Sequence, residues 1–308
     1  MSKVIVAGGA GFIGSHLVER LLKDGFEVTV VDNLSSGRES NISGVRMKIE
    51  FVKSDISDFD YSERFDAIIN LASRASRIEW EKYPVEVALS NSVGSNNLIK
   101  LALKYRALYV YASSSEVYGS ASVVPTPETY VGSVSTTGSR SPYDEGKRFG
   151  EALVKSYERE YGLRSIIVRL FNTYGPRMRG GEFYGRVVDR FIQQALKNDP
   201  MTVYGDGTQT RSFAFVSDTV YALSTLLKKG SPGEIYNVGN DLETSILNLA
   251  RIIVGITGSK SKMEFLSLPS DDPVRRSPDI TKVRALGFSP RVSLNEGIRM
   301  TVKQNMIH

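Results

Sequence analysis

The chain has 308 residues, of which 41% are hydrophobic and 24% are charged, and its formal net charge is +5 at pH 7. It contains no cysteine, which excludes disulfides, thiol nucleophiles and cysteine metal sites. The two histidines, His16 and His308, are too few for a multi-histidine metal centre. Acid and base catalysis is therefore left to Tyr, Lys, Asp or Glu, and we expect no metal site.

Lysine and arginine are spread along the chain among acidic residues, without a basic tail, a zinc finger or an aromatic RNA-binding signature. This distribution favours a small anionic substrate and predicts no nucleic-acid partner. No run approaches the roughly eighteen consecutive apolar residues of a membrane helix, and the chain starts without a signal-peptide pattern. We expect no membrane contact and a cytoplasmic location.

Short β-branched runs alternate with amphipathic stretches through the first half of the chain. This alternation predicts an α/β fold, a Rossmann-type doubly wound parallel sheet with helices on both faces. The predicted strands of this half are 4–7, 28–31, 51–52, 67–72, 108–113 and 165–171, and the predicted helices are 12–23, 85–104 and 143–161.

After Phe171 the pattern becomes irregular, with turn formers in 172–178 and 180–186 that suggest substrate-facing segments. We expect a smaller C-terminal α/β lobe that exchanges segments with the sheet domain. The sheet domain would comprise 1–172 and 208–239, and the lobe 173–207 and 240–308. The predicted strands of this half are 201–204, 213–216 and 234–238, and the predicted helices are 187–197, 217–229, 245–257 and 293–305.

The stretch VIVAGGAGFIGSH places Gly8, Gly11 and Gly14 between the first strand and the first helix. Glycines there permit a tight turn and let the backbone approach a pyrophosphate at the positive end of the helix. Asp32 ends the second strand, eighteen positions after Gly14, where a carboxylate accepts hydrogen bonds from ribose hydroxyls. The same carboxylate repels a 2′-phosphate, so the sequence favours NAD over NADP, although Arg38 lies close by.

Tyr143 and Lys147 are four residues apart on a predicted helix and therefore share one face. A nearby ammonium and a positive nicotinamide ring would stabilise the phenolate of a tyrosine, which is otherwise a poor base. Ser114 follows the fifth strand, at the sheet edge where ligands bind, and can hold a substrate oxygen. The alternative interpretations are that Tyr143 and Lys147 lie on a solvated helix face, and that Ser114 belongs to a polar turn.

These residues and several longer motifs resemble the extended short-chain dehydrogenase/reductase family, which includes nucleotide-sugar epimerases, dehydratases and decarboxylases. The resemblance covers nearly the whole chain. Its motifs are GGAGFIG (8–14), NLAS (70–73), SSSEVYG (113–119), the Tyr143/Lys147 pair, NTYGPR (172–177), YGDGTQTRSF (204–213), RRSPDI (275–280) and LGFSP (286–290).

The resemblance implies that Ser114, Tyr143 and Lys147 are the catalytic residues, and that the two predicted domains bind NAD and a nucleotide sugar. Arginines suit a sugar diphosphate because the guanidinium group matches phosphate oxygens. The implied cofactor-binding residues are Gly8, Gly11, Phe12, Ile13, Gly14, Asp32, Asn33, Asp55, Ile56, Leu71, Ala72, Tyr143 and Lys147. The implied substrate-binding residues are Ser114, Asn172, Arg186, Tyr204, Arg211 and Arg276.

The reaction that the resemblance implies starts with removal of the sugar 4-hydroxyl proton by Tyr143 and oxidation at C4, and NAD is regenerated later. The motifs are most similar to those of UDP-glucuronate decarboxylases, in which the C4 ketone would promote loss of the C5 carboxylate. Glu116 would then position water or the proton returned to C5, unless it is an outward charge. Arg74 and Arg77 depart from this subgroup, which typically carries prolines there.

The alternative is a UDP-sugar 4-epimerase, acting on UDP-glucose and UDP-galactose or on UDP-uronates. Ser114 matches that subgroup, whereas the decarboxylases typically carry threonine at this position, a chemically mild difference. A 4,6-dehydratase fits less well, since Ser115 and Glu116 stand where those enzymes carry an acidic pair. A non-catalytic NAD-sensing protein would be expected to lack the catalytic side chains that are present here. The resemblance also implies a homodimer formed through the helices near 85–104 and 143–161.

Overall fold

Seven parallel strands form the central sheet, which confirms the predicted fold class. The computed structural model describes residues 2–178, 186–267 and 274–306. The bounds of these strands are β1 Lys3–Ala7, β2 Glu27–Val31, β3 Glu50–Val52, β4 Ala67–Asn70, β5 Leu108–Ser114, β6 Ser165–Leu170 and β11 Ile235–Val238. In the sheet they run in the order β11-β6-β5-β4-β1-β2-β3, and each neighbouring pair is parallel.

Helices cover both faces of the sheet, because its strands carry apolar side chains on both faces and each face must be shielded from water. One core contains Leu17 and Leu223 from two helices on the same face. The other contains Leu98 and Val154 from helices on the opposite face. The helices are α1 Phe12–Lys23, α2 Arg77–Lys82, α3 Pro84–Leu89, α4 Ser95–Tyr105, α5 Ser141–Tyr161, α6 Val187–Lys197, α7 Val216–Lys229, α8 Ile246–Thr257, α9 Thr281–Arg284 and α10 Leu294–Asn305.

The predicted helix near 85–104 is interrupted in the structure. A π-helical turn at Ser90–Gly94 separates α3 from α4. Asn91 Nδ2 donates to the carbonyl of Val87 at 2.9 Å, and Ser92 Oγ donates to the carbonyl of Ala88 at 2.8 Å. Such bonds compete with the regular helical pattern, which explains the irregular turn.

In the described residues after β6, seven short strands form three small sheets. Their strands are β7 Thr173–Tyr174, β8 Met201–Tyr204, β9 Thr210–Ser212, β10 Ala214–Phe215, β12 Glu243–Ser245, β13 Met263–Leu266 and β14 Arg275–Arg276.

The predicted strand 213–216 is wrong in its bounds. The chain pairs at 210–212 with β12 and β14, and at 214–215 with β7, before α7 begins at Val216. Most of the predicted irregular segment 180–186 lies outside the described residues. The division into 1–172 with 208–239 and 173–207 with 240–308 stays a prediction.

The strand order reverses between β1 and β4, so the connections leaving these neighbouring strands open a crevice at their carboxyl ends. A ligand site is expected there in an open α/β sheet. The helices of the described part of the chain are too short or too polar to cross a membrane. Within those same residues, no group of three or more His, Asp or Glu side chains is arranged to hold a metal ion.

Candidate active site

A cleft of about 750 Å³ lies at the carboxyl edge of the sheet. It brings together every predicted catalytic and cofactor-binding residue, and all the predicted substrate-binding residues except Tyr204. Tyr204 lines an adjoining cavity of about 890 Å³. Asn172, Arg186 and Arg211 border both spaces, so the predicted substrate residues lie along one continuous surface.

The glycine turn after β1 leaves room for a ligand against the backbone. Gly8 has a φ of +77°, which favours glycine, and a Cβ on Gly14 would collide with the Gly8 carbonyl oxygen. Gly11 N donates to that oxygen at 3.1 Å and closes the turn. The amino end of α1 therefore faces the cleft at close range, as a pyrophosphate requires.

Asp32 directly follows β2, with a buried side chain on the wall of the cleft. Its carboxylate accepts hydrogen bonds from Ala10 N at 3.0 Å and from Leu34 N at 2.8 Å. Burial raises the pKa of Asp32, and these two bonds oppose the shift. Arg38 lines the same cleft, and its backbone N donates to the Ala10 carbonyl at 3.0 Å.

Asp55 and Asn33 form a hydrogen bond on the wall of the cleft, next to Asp32. Asn33 Nδ2 donates to Asp55 Oδ2 at 2.7 Å, while Ser57 N and Ser57 Oγ donate to Asp55 Oδ1. Burial acts to raise the pKa of Asp55, but the hydrogen bonds from Ser57 and Asn33 outweigh it and the pKa is lowered. Ile56, which the family resemblance implies is a cofactor-binding residue, is buried next to this pair.

The α5 helix carries Tyr143 and Lys147 into the cleft, so they do not form a solvated helix face. Both side chains are buried, and Lys147 Nζ lies 5.7 Å from the centre of the Tyr143 ring. Lys147 Nζ also donates to the Ala112 carbonyl at 2.8 Å. Burial lowers the pKa of Lys147 to about 7, against the opposing charge of Glu151.

Burial raises the pKa of Tyr143 to about 12, and the Ser114 side chain and Arg186 oppose this rise. Ser114 ends β5 with its hydroxyl at the cleft, where its Oγ accepts a hydrogen bond from Glu116 N at 3.2 Å. In the ligand-free chain Tyr143 is therefore protonated at neutral pH. A positive charge on a bound ligand would act with Lys147 to favour the phenolate.

Glu116 lies between two arginines at one end of the cleft. Its carboxylate accepts hydrogen bonds from Arg140 and Arg276, which lie on different elements of the chain. Burial acts to raise the pKa of Glu116, but the charges of Arg276, Arg140 and Arg186 outweigh it and the pKa is lowered. Glu116 is thus a carboxylate at neutral pH and faces inward.

Two of the three predicted substrate arginines donate to backbone carbonyls, whereas Arg276 pairs with Glu116. Arg186 donates to the Thr173 carbonyl at 3.3 Å, and Arg211 donates to the Thr210 carbonyl at 2.8 Å. Arg190 lies 5.1 Å from the ring centre of Tyr204, at the far end of the adjoining cavity. This surface of guanidinium groups and one aromatic ring could bind a phosphate group next to a planar base.

Sequence reasoning missed four residues of the site. Trp80 stacks on Tyr143 with ring centres 4.5 Å apart and an angle of 14° between the rings. Arg140 Nε contacts Asp144 Oδ2 at 3.3 Å, and burial together with the Glu116 charge raises the pKa of Asp144 to about 7. Arg177 also lines the cleft. Two of them, Arg140 and Asp144, are close to Tyr143 in the sequence, and this proximity could have pointed to them.

A family model described as the NAD dependent epimerase/dehydratase family matches residues 4–239. The chain belongs to this family. Membership of the epimerase/dehydratase family confirms the predictions of an enzyme and of NAD as its cofactor. The glycine turn, the buried Asp32 carboxylate and the cleft between them fit such a dinucleotide.

Relatives from the epimerase/dehydratase family share similarity over almost the whole chain. UDP-glucuronic acid decarboxylase 1 of Xenopus tropicalis is 42% identical over 303 residues, which cover 97% of this chain and 71% of the relative. UDP-glucose 4-epimerase with UDP-glucose from Thermotoga maritima has a TM-score of 0.91 at 32% identity, covering 99% of both chains.

A third relative was solved with two ligands. It is a mutant of UDP-glucuronic acid 4-epimerase from Bacillus cereus in complex with UDP-4-deoxy-4-fluoro-glucuronic acid and NAD. Its TM-score is 0.87 at 29% identity, and the match covers 99% of this chain and 100% of that chain. Of the three relatives described, the decarboxylase has the higher sequence identity, and the fold is shared with the two 4-epimerases.

Proposed function

We propose that the protein is a UDP-glucuronate decarboxylase that works through a 4-keto sugar and regenerates NAD. The observation that carries this proposal is the charge around Glu116. Three guanidinium groups, those of Arg140, Arg186 and Arg276, act on this one carboxylate, and the pKa of the other acid nearby, Asp144, is about 7. This excess of positive charge beside the proposed catalytic tyrosine suits a substrate that brings its own carboxylate.

The proposed cofactor-binding residues are those that line the cleft from the glycine turn to Lys147. NAD, when bound, supplies the reversible oxidation of the sugar carbon. Asp32 would accept hydrogen bonds from the ribose, and Gly8, Gly11 and Gly14 allow the backbone to approach the pyrophosphate. Asp55 and Ile56 would border the adenine.

The chain's own side chains would move the protons. Tyr143 Oη would take the proton of the sugar 4-hydroxyl, Ser114 Oγ would hold that oxygen, and Lys147 would stabilise the phenolate. Loss of this proton, with the oxidation that bound NAD would supply, would give a C4 ketone, and the C5 carboxylate would then be part of a β-keto acid. Its carbon–carbon bond would break to release CO2, and the electron pair would move into an enolate whose oxygen is held by Ser114 and Tyr143. C5 would then take a proton from water, and reduction of the C4 ketone, with the Tyr143 proton returned to its oxygen, would regenerate NAD.

Glu116 would act after the C4 oxidation. Because Arg276 and Arg140 keep it ionised, it accepts hydrogen bonds and can orient water near C5. We predict that Glu116→Gln slows formation of the UDP-pentose more than C4 oxidation, which single-turnover kinetics would separate. Equal slowing of both steps would contradict this later role.

The experiment that tests the proposed function is product analysis. Purified protein and NAD are incubated with UDP-glucuronate, and in parallel with UDP-glucose and with UDP-galactose. Mass spectrometry and proton NMR should show a UDP-pentose and CO2 from UDP-glucuronate. Unchanged mass with inversion at C4 of any of the three sugars would replace the proposal with a 4-epimerase.

The 4-epimerase is the second candidate because the fold similarity has a TM-score of 0.91. In addition, Ser114 matches the 4-epimerases, whereas the decarboxylases typically carry threonine there. An epimerase needs the same proton transfer at C4 but must let the ketone rotate in the cleft. The chain is 42% identical to the decarboxylase from Xenopus tropicalis and 32% identical to the epimerase from Thermotoga maritima. We therefore rank decarboxylation above epimerisation.

We further propose a homodimer formed through α3 and α5. Val85, Leu89 and Val93 are spaced four residues apart and are 67%, 49% and 51% exposed. Phe149, on the neighbouring α5, is 51% exposed. Apolar side chains of this size on adjacent helices support an interface between two copies of the chain.

A further inference from the structure

Trp80 is the one tryptophan of the chain, and it lies between the cofactor cleft and the α5 helix. It sits on α2, a helix of six residues, and only 7% of its surface is exposed. One face of its indole covers the ring of Tyr143, almost parallel, at 4.5 Å between centres. The indole therefore limits how the Tyr143 ring can tilt and keeps water from that face of the ring.

Two further contacts connect Trp80 to the rest of the site. The guanidinium of Arg140 lies 5.7 Å from the indole centre, and the same side chain binds Glu116 and Asp144. Trp80 Nε1 donates to the Arg74 carbonyl at 3.0 Å. The indole thus touches the proposed base on one side and the arginine that binds Glu116 on another.

Arg74 explains how so short a helix holds its tryptophan in place. Its guanidinium bridges Glu79 and Glu86, each at 3.1 Å, and lies 4.3 Å from the ring centre of Tyr83. The side chains of Arg74 and Glu79 are 13% and 5% exposed, so this ion pair is shielded from solvent. Arg74 therefore ties together the start of α2, its end and the following α3.

Arg77 differs from Arg74 although both are arginines in the same short segment. Its side chain is 51% exposed and contacts the equally exposed Glu81 at 3.4 Å, one turn along α2. An exposed pair of this kind contributes little to the position of a helix. Arg77 is therefore a matched control for Arg74.

We propose that Trp80 is a positioning residue for Tyr143 and Arg140, and that Arg74 fixes Trp80 in turn. This inference rests on the proposed function insofar as Tyr143 is the base. A phenol that can tilt away from the sugar spends less time in the geometry that reacts, and small displacements of this kind lower the rate of the chemical step. The contacts described for the indole are to Tyr143, Arg140 and the Arg74 carbonyl, so substrate binding through Arg211 and Tyr204 should change less.

The test compares the wild-type protein with Trp80→Leu, Trp80→Phe, Arg74→Gln and Arg77→Gln. Turnover is measured with whichever UDP-sugar the wild-type protein converts, so a 4-epimerase would also serve. We expect Trp80→Leu to lower kcat by roughly 10- to 100-fold with KM changed by less than about threefold. Trp80→Phe should restore most of kcat, because a flat ring can still stack.

The pH profile separates positioning from a general loss of structure. Because Trp80 helps to bury Tyr143, its removal should admit water and lower the pKa of the phenol. The acidic limb of kcat should therefore move to lower pH in Trp80→Leu and stay near the wild-type position in Trp80→Phe. A kcat within twofold of wild type in Trp80→Leu, with an unmoved profile, would overturn the role of Trp80.

Fluorescence of the single tryptophan gives a readout that needs no turnover. Arg74→Gln should shift the emission of Trp80 to longer wavelength, because the loosened helix exposes the indole, whereas Arg77→Gln should leave it unchanged. An unchanged emission in Arg74→Gln would overturn the role of Arg74.

If Trp80→Leu does not fold, as judged by circular dichroism, Arg74→Gln and Trp80→Phe decide the proposal. A wild-type protein that converts none of the sugars would refute the proposed function, and the emission of Arg74→Gln would then decide this inference.

Discussion

Burial and the charge of Arg186 have opposite effects on the pKa of Tyr143. Burial raises its pKa to about 12, while Ser114 and Arg186 favour the ionised form. In the proposed function the side chain would become a base when a ligand adds positive charge next to it, which would link proton transfer to cofactor binding. A tyrosine on a solvated helix face would lack this link.

We predict that Tyr143→Phe lowers turnover by at least about 100-fold, because it removes the proton acceptor and keeps the ring that stacks on Trp80. Binding of the UDP-sugar, measured by calorimetry, should stay within a few-fold of wild type. Tyr161→Phe is the control, because Tyr161 is on the same helix and is 60% exposed. Turnover retained by Tyr143→Phe would show that another group removes the proton.

Asp144 makes stability depend on pH. Burial and the charge of Glu116 raise its pKa from 3.8 to about 7, while Arg140 and Arg276 oppose the shift. Between these two pH values the folded state binds more protons than the unfolded state. The contribution of Asp144 to the free energy of unfolding is therefore greatest below about pH 4 and is lost as the pH rises through 7.

We predict that Asp144→Asn removes this dependence, because an amide does not titrate. The Tm of the variant minus that of wild type should be larger at pH 8 than at pH 5, as measured by thermal unfolding. Glu145→Gln is the control, since that neighbouring carboxylate contacts Arg148 at 3.6 Å and is 35% exposed. A difference in Tm that is the same at both pH values would contradict the assignment.

At the scale of elements, α5 approaches β5 through a glycine. A Cβ on Gly150 would collide with the hydroxyl of Tyr111, whose ring lies 5.1 Å from Lys147 Nζ. The close contact between helix and strand therefore depends on the absence of a side chain at Gly150. It also sets the depth at which Lys147, one turn earlier, enters the site.

We predict that Gly150→Ala lowers the free energy of unfolding by about 1–3 kcal/mol, because overpacking forces α5 away from the strand. It should also lower turnover, since Lys147 moves with the helix. Gly255→Ala in α8 is the matched control, because a Cβ there has no atom within 4 Å. That change should be neutral or stabilising by up to about 1 kcal/mol. Denaturant titrations measure both values, and equal stability of the two variants would refute the packing argument.

The elements that could be predicted from the sequence are those with a strong local pattern. The predicted helix 12–23 matches α1, and the predicted strand 201–204 matches β8, because their apolar spacing is regular. The six-residue helix α2 was not predicted, since its position depends on the ion pairs of Arg74 with residues farther along the chain. Boundaries near residue 213 were wrong because short strands carry little periodic signal.

The same distinction applies to the candidate site. The glycine turn and the Tyr143/Lys147 pair each depend on residues close in sequence, so their motifs could be recognised. The pairing of Glu116 with Arg276 joins residues 160 positions apart, and no local pattern predicts it. The stack of Trp80 on Tyr143 is likewise a property of the folded chain.

At the scale of the whole molecule, the proposed interface lies beside the site. Leu89 and Val93 line the cofactor cleft and are also part of the exposed apolar row with Val85. The π-helical turn at 90–94 lies within this row, and Asn91 in that turn donates to Ser73 Oγ at 3.1 Å. Pairing two copies through α3 and α5 would therefore hold one wall of the cleft in place.

We predict a dimer for the wild-type protein and a monomer for the double variant Val85→Asp/Phe149→Asp, because two charges per chain would have to be buried in the interface. Sedimentation velocity at micromolar concentration measures both states. Met47→Asp is the control, since Met47 is 97% exposed and lies on neither helix. If the wall of the cleft depends on the interface, the monomeric variant should also bind NAD more weakly than the control. A double variant that remains dimeric would show that the interface lies elsewhere. A wild-type protein that sediments as a monomer would refute the proposed homodimer.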